Sequence, residues 1–131
     1  MVVPELIEVQ LGEWEGGIIR QRVAERDPLV DELNRSERWD IIPGAESNEA
    51  LQARVRRGLI AISARHVGGR VAAIVHDGVI GAALAIATGG TSFRFHGSGN
   101  CSISSLVIDG AIWRLRRFND TAHLVSLVDG K

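Results

Sequence analysis

Residues 70–90 read RVAAIVHDGVIGAALAIATGG: a strand, a sharp turn and a helix in succession. Val71–Val75 is a short apolar run rich in β-branched residues, preceded by Gly68-Gly69. Such a run predicts a central parallel strand covered on both faces. Val79–Thr88 is apolar nearly all round, which predicts a buried helix. Between them stands His76-Asp77-Gly78. The carboxyl end of a strand facing a helix N-terminus is where open α/β sheets bind ligands. Free backbone N–H groups and the helix dipole there favour an anion, and a histidine adds a donor or a positive charge near neutral pH. On these residues alone His76 has two readings: an anion-binding group, or a histidine that caps the strand and bonds to backbone.

Outward from this unit, Asn48–His66 carries Leu51, Val55, Leu59 and Ile62 at spacings of four, four and three. That periodicity predicts a helix over about 47–66, with Ser47 as N-cap and Gly68-Gly69 as its stop. Glu49, Arg54, Arg57 and Arg65 fall on its other faces, where charges are usually solvated. After the 78–88 helix, residues 92–100 form a loop. Cys101–Ile108 and Ala111–Phe118 are apolar runs joined at Asp109-Gly110, a strong hairpin signal. Asn119–Leu127 predicts a turn and a short final helix. Toward the N-terminus, Val2–Val9 reads as a short edge strand or an extended lead-in, because Pro4 excludes a central ladder position. Gly12–Gly17 is a turn, and Ile18–Glu25 and Leu29–Arg38 are short helices separated at Asp27-Pro28.

The 131 residues suffice for one domain with a real core, and 45% hydrophobic with 24% charged residues is ordinary for a globular chain. No apolar run is long enough to span a membrane, and MVVPELIEVQ lacks the features of a signal peptide. One cysteine, Cys101, excludes an internal disulfide framework and fits the cytoplasm. Net charge is −1, unevenly spread: residues 1–50 hold 5 arginines against 12 acids, and residues 51–131 hold 10 basic residues against 4 aspartates. No dense basic stripe with interleaved aromatics marks a nucleic-acid binder.

Several other side chains are candidates for chemistry. Glu8 lies among apolar residues before a glycine-rich turn. It reads either as a partly buried acid–base group or as a solvated edge glutamate. Gly44-Ala45-Glu46-Ser47 opens the long helix and reads as capping. Arg94 and His96 are a loop pair able to touch an anion. Arg114 and Arg116 share a strand face and read as solvated, and Cys101 reads as packing. No His/Cys spacing suggests a zinc site, no phosphate loop with a Lys-Ser/Thr ending is present, and no cofactor is expected.

Five stretches, taken together, resemble the C-terminal part of the histidine phosphatase superfamily, the phosphoglycerate-mutase-like fold. They are LIEVQLGEWEG (6–16), PGAES (43–47), AAIVHDGVIGAALA (72–85), NCSISSL (100–106) and FNDTAHL (118–124), in the family's order and with family-like spacing. The resemblance implies a three-layer α/β/α fold and phosphoryl transfer through a phosphohistidine. It makes His76 the second active-site histidine, which contacts the transferring phosphoryl group. Glu8 becomes the acid that protonates the leaving oxygen. The backbone from His76 through Asp77 and Gly78 would hold phosphate.

The family's nucleophilic histidine sits in an Arg-His-Gly motif on its first strand, and this sequence contains no such tripeptide. Asp77 stands where a glycine is usual, and an aspartate there would repel phosphate. Gly81 stands where an arginine often follows. The expectation is therefore a single, partial domain over 1–131 with an incomplete sheet, binding phosphate or a phosphorylated small molecule weakly and without turnover. Either a truncated phosphatase or mutase, or a non-catalytic anion-binding or association module, fits. An uncovered sheet edge further predicts a homodimer.

Overall fold

The computed structural model describes residues 1–125. It mixes helices α1 (Ile18–Ala24), α2 (Pro28–Ser36), α3 (Asn48–Arg65) and α4 (Asp77–Thr88) with strands β1 (Ile103–Asp109) and β2 (Ile112–Asp120). Single 3-10 turns punctuate the connections, among them Pro4–Leu6, Trp39–Ile41 and Ser92–Phe95. Along α3 the four-residue spacing does its expected work: Leu51 and Val55 are completely buried, with Leu59 and Ile62 at the margin of the core. Ser47 caps the helix, its Oγ accepting from the Ala50 N–H at 3.1 Å. Helix α4 is buried nearly all round, from Gly78 and Val79 through Gly81 to Ala85, and ends on Gly89 in the left-handed region.

The core forms where these two helices meet the N-terminal segment. Leu6, Val9, Trp14, Leu33, Trp39 and Ile42 close on Leu51, Val55, Val79 and Ala82. Gly81 lets the Ser92–Phe95 turn lie on α4, since a Cβ there would come within 2.6 Å of the Ser92 carbonyl oxygen. That contact gives the position a packing reason to be glycine rather than arginine. Strands β1 and β2 form an antiparallel hairpin, with Asp109 opposite Ile112 and irregular register between Ile103 and Leu106. Gly110 takes a φ of 56°, which the first turn position of a tight hairpin demands.

The expected parallel strand at 70–75 is corrected. These residues belong to no sheet, and β1 pairs with β2 alone among the described residues. Val71 is half exposed and Ile74 fully exposed. Apolar, β-branched composition describes a strand that fits between neighbours, and no described segment supplies them. Val2–Val9 is likewise not a strand: a 3-10 turn at Pro4–Leu6 swings Leu6 inward. Cys101 does not pack but is exposed. Of the final helix expected within Asn119–Leu127, the described residues hold a 3-10 turn at Ala122–Leu124, after Asn119 and Asp120 have closed β2. Residues 126 and 127 of that stretch lie outside the described residues. No described helix is long and apolar enough to cross a membrane.

Candidate functional site

The N-terminus of α4 is the meeting point. Glu8 arrives there on the segment that follows the first turn, and its partly buried carboxylate accepts two backbone N–H bonds. Oε1 takes that of Val9 at 2.8 Å, and Oε2 that of Gly78 at 3.3 Å. Gly78 permits the approach, because a Cβ on it would sit 2.5 Å from Glu8 Oε1. A carboxylate at this position complements the helix dipole. The structure thus departs from a freely solvated glutamate and places the acid within one residue of the His76-Asp77 peptide.

His76 is the N-cap residue of α4, but its ring makes no capping bond. The reading in which it bonds to backbone is therefore not what the structure holds. His76 is exposed and borders an apolar groove of about 530 Å³ lined also by Val2, Ile7, Val71 and Ile74.

Asp77 turns away from the helix axis and into the following loop. Its Oδ2 accepts the Gly97 N–H at 2.9 Å and lies 2.6 Å from His96 Nδ1. Its Oδ1 accepts the Ser98 N–H at 2.9 Å and the Ser98 hydroxyl at 2.5 Å. Burial alone would raise the Asp77 carboxyl, but the His96 ring and the donors of Gly97 and Ser98 hold it well below the usual carboxylate range. The same hydrogen bond raises His96 against the opposing effect of burial, with the charges of Asp77 and Glu8 adding to it. The repulsion expected of an aspartate here is thus largely met by its own loop partners.

The residue that sequence reasoning missed is Arg54. It lies on α3 among charges expected to be solvated, yet its side chain is only 11% exposed. Its guanidinium pairs with both oxygens of Glu46, Nε at 2.7 Å and Nη2 at 2.8 Å. It also donates to the carbonyls of Glu5, Ile7 and Glu8 at 2.9, 2.8 and 3.0 Å. One fork therefore holds the backbone on both sides of Glu8 and ties it to the 43–47 loop, which is more than a cap. Glu46 completes the tie through its own N–H to the Gln10 carbonyl at 2.9 Å. The signal available was the pairing of an acid just before the helix with an arginine two turns in.

Arg114, Arg116 and Arg94 are exposed, away from this set of contacts. Among the described residues no group of three or more His, Cys, Asp or Glu side chains could hold a metal ion.

Comparison with known proteins adds two findings. Residues 1–121 match the histidine phosphatase superfamily (branch 1). An uncharacterized protein of Mycobacterium bovis and a protein of Mycobacterium tuberculosis described as bifunctional are each 34% identical over 131 residues. The match covers 95% of this chain and 35% of either relative, so the chain spans about a third of the length of the curated relatives it matches.

Proposed function

The chain belongs to the histidine phosphatase superfamily, and from that premise we propose that the N-terminus of α4, with Glu8 and His76, binds the phosphoryl group of phosphate or a phosphorylated small molecule. In this reading the His76 ring and the N-terminal N–H groups of α4 hold phosphoryl oxygens, with the Gly78 N–H, which Glu8 holds in this structure, released to the phosphate. Glu8 is the proton donor to a leaving oxygen. The observation that carries it is the bond from the Gly78 N–H to Glu8, which sets an acid at the N-terminus of the helix whose N-cap residue is His76. The three-layer α/β/α arrangement implied by the resemblance is part of the proposal, and the mixture of helices and strands is consistent with it.

For the chain as it stands we propose no turnover. The route through a phosphohistidine needs an attacking imidazole, and the sequence has no Arg-His-Gly to supply one. Phosphate titration followed through the His76 ring resonances tests the binding reading. A saturable shift at millimolar phosphate is expected, and a silent His76 would end that reading. Turnover of p-nitrophenyl phosphate that His76→Ala abolishes, in a preparation free of contaminating phosphatase, would overturn the inactivity.

A second reading, as an association module, has its own observation: the wet apolar segment 70–75 beside Val2 and Ile7. We propose that a second copy of the chain covers it.

A further inference from the structure

We propose that Arg54 is the positioning residue of Glu8: its guanidinium fixes the backbone that carries the acid, and so decides whether the carboxylate reaches the N-terminus of α4. The inference rests on the reading of Glu8 as proton donor and deepens it, by naming what holds the donor in place.

Glu8 lies on neither a helix nor a strand. Its segment leaves the Pro4–Leu6 turn at Ile7 and enters the next turn at Gly12. Among the described residues no ladder includes it, so its carbonyls need acceptor's partners from elsewhere. Arg54 supplies them. A guanidinium has five N–H groups in a planar fork, and each of these five has its own acceptor. Nε and one Nη2 hydrogen go to the two oxygens of Glu46. Both Nη1 hydrogens go to the carbonyls of Glu5 and Ile7, and the other Nη2 hydrogen to that of Glu8. Glu46 holds the far side of the acid, donating its N–H to the Gln10 carbonyl at 2.9 Å and accepting the Gln10 N–H at 3.3 Å. Residue 8 is thus clamped from both directions along the chain.

The saturation of the fork separates this role from direct contact with a ligand. Arg54 has no N–H left to offer an incoming anion, and its side chain is 11% exposed. What it can change at the site is the place of Glu8. The Glu8 carboxylate accepts the Gly78 N–H, one of the helix-start donors that has no acceptor within the helix. The seat is narrow, since a Cβ on Gly78 would lie 2.5 Å from Glu8 Oε1. Leu6 and Val9, both buried, also anchor the segment. Apolar burial is non-directional, however, and leaves the peptide planes between them free to turn. Bonds to the carbonyls of Ile7 and Glu8 fix those planes. Arg54 stands on α3, which shares its core with α4 through Val55, Val79 and Ala82. The clamp therefore refers Glu8 to the same body that carries Gly78.

The test reads the two amides that donate to the Glu8 carboxylate, those of Val9 and Gly78, by NMR of the full chain without added phosphate. The Val9 bond is made to the adjacent residue and does not need the clamp; the Gly78 bond spans 70 residues and does. In the unaltered chain both amide resonances should move together as Glu8 titrates. In Arg54→Gln the Val9 amide should still follow Glu8 and the Gly78 amide should cease to. Gly78 should also exchange its amide hydrogen about tenfold faster, as expected for loss of one bond to a charged acceptor, while the Leu84 and Ala85 amides show α4 intact. Arg54→Lys should fall between, because an ammonium has three donors for five acceptors. A Gly78 amide that still follows Glu8 in folded Arg54→Gln overturns the inference, since a role confined to stability would lower the urea midpoint and leave that coupling in place. If Arg54→Gln does not fold, Arg54→Lys decides: weakened coupling of Gly78 supports the clamp, and unaltered coupling overturns it. The phosphate-binding reading is judged apart, at the His76 ring of the unaltered chain. A silent His76 removes the donor role of Glu8, whereas a Gly78 amide indifferent to Arg54 removes only the clamp.

Discussion

Arg54 makes five hydrogen bonds, two to Glu46 and three to the carbonyls around Glu8. Both partners of the ion pair are nearly buried, at 11% and 9% exposure. Removing one leaves the other charged and without its partner, which costs about 3–5 kcal/mol. Arg54→Ala should thus lose a large share of a typical 5–15 kcal/mol stability, read as a fall in the urea midpoint. Arg54→Lys should recover only part, because an ammonium cannot reproduce the planar fork. The Asp77–His96 pair makes a different demand, on pH. Asp77 is lowered on folding, so its contribution is present above the unfolded value near 3.9 and fades as pH falls through the folded one. His96 is raised, so its contribution is complete below the unfolded value near 6.5 and is lost as pH rises through the folded one. Stability from the pair should peak between about pH 4 and 6.5, on the order of 1 kcal/mol given the half-exposed ring. Asp77→Asn should flatten both limbs of the urea midpoint against pH; an unchanged profile would mean that the pair does not couple to folding.

The elements differ in how plainly their residues announce them. Helix α3 shows itself in the spacing of Leu51, Val55, Leu59 and Ile62, and α4 in a continuous apolar run ending at two glycines. Both follow from contacts within a few residues, as does the β1–β2 hairpin at Gly110. Residues 70–75 have the composition of a strand, but strand formation depends on neighbours far along the chain. The site divides the same way. His76 was legible from its place between an apolar run and a helix. Glu8 stood as either an acid–base group or a solvated glutamate until the resemblance gave it a proposed role. Arg54 was not legible, because an arginine on a helix looks the same whether it meets water or a carbonyl 46 residues away. The junction of α4 with the Ser92–Phe95 turn offers an element-level test. A Cβ at Gly81 would meet backbone, which cannot rotate aside. Gly81→Ala should therefore push the turn off α4 and cost about 1–3 kcal/mol, despite alanine's better helix propensity. A midpoint equal to or above that of the unaltered chain would mean that the turn is free to shift.

At the scale of the molecule, one side carries apolar groups that nothing described covers. Ile74 is fully exposed, Val2 and Met1 nearly so, and Ile7 and Val71 about half. The backbone of 70–75 adds unpaired donors and acceptors, which makes the segment a template for another extended chain. Two copies placed antiparallel about a two-fold axis would pair this segment with itself and cover Ile74 and Val71 on both. Fully burying one such side chain from full exposure is worth roughly 1.5–3 kcal/mol, so two Ile74 and two half-exposed Val71 supply about 4–9 kcal/mol. Association costs about 4–15 kcal/mol in lost freedom, and ladder hydrogen bonds add about 0.5–1.5 kcal/mol each. The acidic first 50 residues and basic remainder can face each other across the axis. Charges in solvent are screened within about 10 Å at 0.1 M salt, so added salt should weaken the pair only slightly. Sedimentation equilibrium from low to high micromolar chain should show a monomer–dimer transition. Ile74→Arg should abolish it while shifting monomer stability by no more than about 0.5 kcal/mol, since that side chain touches little in the monomer. A single monomeric species over the whole range would mean that this face does not bind a second copy. A dimer that survives Ile74→Arg would place the contact elsewhere on the chain.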